Sequence, residues 1–70
     1  MQGVVKVYDP STGLGVVVLD GDRREVYLRG NSLDGSVFRM LRQGQRVVVD
    51  TVTEDDTEFV TRVGLGTEGA

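Results

Sequence analysis

Four carboxylates fall within five residues, at Glu54, Asp55, Asp56 and Glu58, a density that suits a hard cation. They lack the glycine and the ligand spacing of a calcium loop, so they read as a solvated acidic turn with no metal. Ser11, Ser32 and Ser36 are nucleophiles only where a base stands beside them. The chain contains neither histidine nor cysteine, which removes the commonest general base, the commonest metal ligand and any thiolate site. Gly13-Leu14-Gly15 opens like a dinucleotide loop. The strand-forming run Val16-Val17-Val18 follows it, where a phosphate cradle needs a helix N-terminus. With no base, ligand set or cofactor fingerprint, the expectation is a binding domain that is not an enzyme and carries no cofactor.

The charge pattern points to what it could bind. Net charge is −3 over 70 residues, which speaks against a generic phosphate binder. Residues 1–22 set Lys6 against Asp9, Asp20 and Asp22, net −2. Residues 23–46 carry six arginines, Arg29 and Arg39 among them, against Glu25 and Asp34, net +4. Residues 47–70 set Arg62 against six acids, net −5. Such a basic middle suits phosphate, or the acidic end of a neighbouring copy. No apolar run approaches the roughly 20 residues of a membrane span, and Met1-Gln2-Gly3 opens no signal peptide, so a soluble cytoplasmic protein is expected.

Short β-branched runs separated by turn residues must position these groups. Strands are predicted over Gly3 to Tyr8, Leu14 to Leu19, Glu25 to Arg29, Arg46 to Val52 and Glu58 to Val63. Asp9-Pro10-Ser11-Thr12-Gly13 is turn chemistry, and Asp20-Gly21 predicts a tight hairpin. Residues 30–45 read as loop with at most a helical turn near Asn31 to Asp34, anchored by Phe38, Met40 and Leu41. Gly64 to Ala70 has little to bury and reads as a flexible tail behind one domain at 1–63. Five short strands with a long third connection predict an all-β, OB-type five-stranded barrel, with an SH3-like barrel as the alternative. Period-2 alternation sends Val26, Leu28, Val17 and Leu19 inward. It leaves Leu14, Val16 and Val18 beside Tyr27 on the outer face.

Gly3-Val4-Val5-Lys6-Val7-Tyr8-Asp9, Gly13-Leu14-Gly15, Val26-Tyr27-Leu28-Arg29 and Gly44-Gln45-Arg46-Val47 together resemble the cold-shock domain in order and spacing, over about residues 1–63. That family's pattern opens G-x-V-K-W-F-N and continues K-G-F-G-F-I, then D-V-F-V-H-F-S-A-I, then L-x-x-G-Q-x-V. The resemblance implies an OB barrel whose aromatic, basic face stacks the bases of single-stranded RNA or DNA. By position it assigns that role to Lys6, Tyr8, Leu14, Val16, Tyr27, Arg29, Phe38 and Arg39. Lys6 keeps the family's lysine, Tyr27 keeps a ring, and Phe38 matches the aromatic of the long loop. Arg29 stands for histidine, and its guanidinium can stack or hold phosphate. Four aromatics are lost, to Val7, Leu14, Val16 and Gly30.

A stacked base is worth ~1–3 kcal/mol, so four losses weaken binding by roughly 4 kcal/mol or a thousandfold. Weak, strongly salt-dependent nucleic-acid binding through Lys6, Arg29 and Arg39 is therefore the first expectation. The same substitutions leave Val7, Leu14, Val16, Tyr27 and Phe38 as an apolar patch rimmed by charge. The second expectation is accordingly a protein partner, or a homodimer, docked on that patch.

Overall fold

Strand β1, Gln2–Tyr8, begins with strict alternation, Gly3 and Val5 facing inward. The alternation breaks at Lys6. Val5 pairs with Val17 but Val7 pairs with Val16, so Lys6 is the extra residue of a bulge. A bulge shifts the side-chain phase by one. Lys6 and Val7 therefore both face solvent, and Tyr8 turns onto the edge of the core.

The computed structural model describes residues 1–36 and 38–65. It continues with β2 at Gly15–Leu19, β3 at Glu25–Leu28, β4 at Arg46–Glu54 and β5 at Thr57–Leu65. These form a closed barrel in the order β1-β2-β3-β5-β4. Every contact between neighbours is antiparallel except β3 with β5, which run parallel at Tyr27 and Phe59. This is the predicted small OB-type barrel, and closure gives each strand two neighbours. Gly64 and Leu65, predicted to begin the tail, belong to β5; the rest of that segment lies outside the described residues.

The core is aliphatic. Val17, Val26 and Val47 are fully buried, with Val5, Leu28, Val49 and Val60 nearly so, and among the described residues no aromatic side chain joins them. Tyr8, Leu33 and Phe38 pack against this cluster from its rim. A second bulge, at Thr61 in β5, lets both Val60 and Val63 point inward although they are three residues apart. Two glycines allow β1 and β2 to approach closely. A Cβ on Gly3 would stand 2.5 Å from the Val18 carbonyl oxygen, and one on Gly15 2.6 Å from that of Val7.

The turns depart from the sequence reading in two places. The β2–β3 connection is wider than the tight hairpin predicted from Asp20-Gly21. Leu19 N–H donates to the Arg24 carbonyl, 2.8 Å, across Asp20 to Arg23. Asp22 stabilises the wider form by accepting from Arg24 N–H at 3.0 Å, and Gly21 and Arg23 take positive φ. The tight turn lies instead between β4 and β5. There Asp55 (φ 51°) and Asp56 (φ 65°) are the two central residues, as a two-residue turn matched to strand twist requires. Near Asn31 to Asp34 the chain makes successive four-residue turns, closed by Ser32 N–H on Arg29 O and Asp34 N–H on Asn31 O.

Candidate functional site

Register places one outward-facing residue from each strand in a single row. Val7 pairs with Val16, Val16 with Tyr27, Tyr27 with Phe59, and Phe59 with Val52. The row follows the barrel order from β1 to β4 and is apolar throughout. With strands ~4.8 Å apart, four steps give it a length of about 19 Å. Two rings sit at its centre and valines at its ends. Val7 is 51% exposed, Tyr27 39% and Val52 39%, and Leu14 beside the row is 54% exposed. An open groove of about 630 Å³ runs along it, lined by Val7, Leu14, Val16, Tyr27 and Phe59, with Asp9, Arg29 and Thr57 at its sides.

A second depression of about 410 Å³ is lined by Tyr8, Gly13, Gly30, Leu33, Phe38 and Arg39, and it also includes Arg29. Arg29 is thus the wall common to both. Its guanidinium carbon lies 4.2 Å from the centroid of the Phe59 ring, within cation–π range. Its Nη1 and Nη2 donate to the Oε1 and Oε2 of Glu54 at 3.0 and 2.8 Å, a two-pronged pair. The pair raises the Arg29 pKa and holds the Glu54 carboxyl below the usual glutamate range. On the other side, Lys6 Nζ donates to Glu25 at 2.8 Å, and that hydrogen bond raises the lysine pKa. Asp9 accepts from the amide and hydroxyl of Ser11, which lowers its pKa.

The residues assigned from sequence therefore divide into three sets. Leu14, Val16 and Tyr27 lie together in the groove. Arg29 stands between the groove and the second depression, where Tyr8, Phe38 and Arg39 are found. Tyr8 and Phe38 are half-buried and pack on the core, so each offers part of a ring. Lys6 lines neither depression and is tied to Glu25.

Two residues were missed. Alternation counted back from the buried Val63 sends Phe59 inward; the bulge at Thr61 resets the phase and turns it out. No sequence signal marks that bulge. Val52 was legible, because it shares a face with Val48 and Asp50, opposite the buried Val47 and Val49.

Glu54 is committed to Arg29 and Glu58 to Arg24, and no cluster of three or more metal-ligating side chains occurs among the described residues. No helix among them is long and apolar enough to cross a membrane. Compared with protein-family models and with curated proteins, the chain matches none of either. The fold and this face define a small OB-type barrel with an apolar row across its outside.

Proposed function

We propose that the barrel binds single-stranded nucleic acid, RNA or DNA, along this row. The observation that carries the reading is the adjacency of Tyr27 and Phe59 on neighbouring strands, with the Arg29 guanidinium over the second ring. Two side-by-side rings can each take a base at ~1–3 kcal/mol, and Phe59 supplies one that the aligned motifs had lost. Val7, Leu14 and Val16 pack against base and sugar faces. The strand then crosses Arg29 into the second depression, where Phe38 offers another ring and Arg39 a phosphate contact. The domain is a binding module, not an enzyme, and a cytoplasmic setting goes with this role. The test is titration of oligothymidine and mixed-sequence RNA at low salt, followed by NMR. Shifts should concentrate at Tyr27, Phe59 and Phe38. Their absence at millimolar ligand overturns the reading.

A second reading is docking of another protein, or of a second copy, on the same row. It is favoured by the aliphatic flank, where Val7 and Leu14 are both more than half exposed. Leu14→Asp should then abolish a complex, or lower the assembly state, while leaving the barrel folded.

A further inference from the structure

A phosphate is held by arginine through the same paired N–H fork that binds a carboxylate. In this barrel that fork is already occupied. Both terminal nitrogens of Arg29 donate to the two oxygens of Glu54. The other cation on this face, Lys6, is occupied by Glu25. Local structure fixes both carboxylates. Glu54 is the last residue of β4, set by the two-residue turn that follows, and Glu25 is the outward-facing first residue of β3. The bulge that pushes Lys6 out of β1 lets its amine reach over β2 to Glu25. Arg39, in the second depression, makes no ion pair among the described residues.

We infer that Glu25 and Glu54 are built-in competitors for the phosphate sites of Lys6 and Arg29, so that this face holds single-stranded nucleic acid by its bases more than by its backbone. The inference rests on the nucleic-acid reading and specifies the ligand: a strand with unpaired, accessible bases, in preference to a duplex that presents only phosphates. It also implies a weaker salt dependence than the strong one expected from sequence. A cation already matched by a carboxylate contributes no net charge to neutralise a phosphate. For single strands, log Kobs falls with log salt at about −0.7 per phosphate neutralised. Were Lys6, Arg29 and Arg39 all available, the slope would be about −2.1; with Arg39 alone it is about −0.7.

The experiment measures that slope, by anisotropy of a labelled oligothymidine between about 50 and 200 mM salt. It compares the native chain with Glu54→Gln, the double variant Glu25→Gln/Glu54→Gln, and Asp20→Asn. Asp20 pairs with Arg46, which stands opposite Val4, three residues from the row in β1, whereas Lys6 adjoins Val7 of the row itself, so the last variant removes the same unit charge without releasing a cation beside the row. The expected slopes are about −0.7 for the native chain and for Asp20→Asn, about −1.4 for Glu54→Gln and about −2.1 for the double variant. Affinity at the low-salt end should tighten by about two- to fivefold per carboxylate removed, the size of an exposed ion pair.

A native slope already near −2, an unchanged slope in Glu54→Gln, or equal steepening in Asp20→Asn overturns the competitor role while leaving nucleic-acid binding intact. Binding by the variants alone supports it in its strongest form. If neither the native chain nor the variants bind, both the inference and the reading beneath it fall.

Discussion

Replacing Phe59 by leucine separates stacking from simple apolar contact. Phe59 is the fourth residue of the five in the row, between Tyr27 and Val52, and lies under the Arg29 guanidinium. Leucine keeps most of the apolar surface and removes the π face. Loss of one stacked base costs ~1–3 kcal/mol, which at about 1.4 kcal/mol per decade weakens oligonucleotide binding by about 5- to 150-fold. A protein docked on the row senses only area, and a change of about one methylene's worth, ~0.8 kcal/mol, alters its affinity by about fourfold at most. Phe59 lies outside the buried core cluster, so the barrel itself should survive with a small change in melting temperature. Phe59→Tyr, which keeps the ring, serves as the companion variant and should bind like the native chain. The assay is anisotropy of labelled oligothymidine at low salt, with thermal melts confirming the fold. Affinity of Phe59→Leu within about threefold of native would refute stacking on this residue.

Three further outcomes bear on the scaffold. Gly15→Ala places a methyl 2.6 Å from the Val7 carbonyl oxygen and 3.0 Å from Leu28 Cδ1. Separating β1 from β2 to admit it should cost ~1–3 kcal/mol and lower the melting temperature by about 4–8 °C per kcal/mol; an unmoved melt contradicts the close approach. Ser32 is 1% exposed, donates to the Val60 carbonyl at 2.8 Å and accepts from Arg29 N–H at 2.8 Å. Ser32→Ala strands both backbone groups, so a loss of ~1–3 kcal/mol is expected, with faster exchange of the Arg29 amide as its signature. Glu54 is held below the usual glutamate range by Arg29, and Glu58 by Thr51 and then Arg24. A depressed folded pKa adds stability above the unfolded value, and that stability is lost as pH falls through the folded one. Melting temperature should therefore hold from neutrality to about pH 5 and fall below about pH 4. The fall should be shallower in Glu54→Gln; an identical acid limb in that variant rules out the pair as a contributor.

Much of the barrel was legible because strand chemistry is local. Val26 and Leu28 alternate with Glu25 and Tyr27, and that pattern alone assigns both faces of β3. The same reasoning carried Val17 and Leu19 inward and left Leu14 outside, and the predicted strand limits lie within two residues of those observed. The width of the β2–β3 loop was not readable from Asp20-Gly21, because Asp22 contributes a side-chain hydrogen bond that the dipeptide preference ignores.

Residue types and spacing by themselves determined that the chain forms a five-stranded barrel with an aliphatic core and an outer face poor in rings. Tertiary structure decided which residues share that face and which charges are available on it. Bulges at Lys6 and Thr61 reset the alternation in β1 and β5, turning Tyr8 onto the core and Phe59 outward. A bulge depends on the partner strand's register, and no period within one strand reports it. The pairing of Arg29 with Glu54, 25 residues away in sequence, exists only because closure of the barrel brings the end of β3 beside the end of β4 across β5.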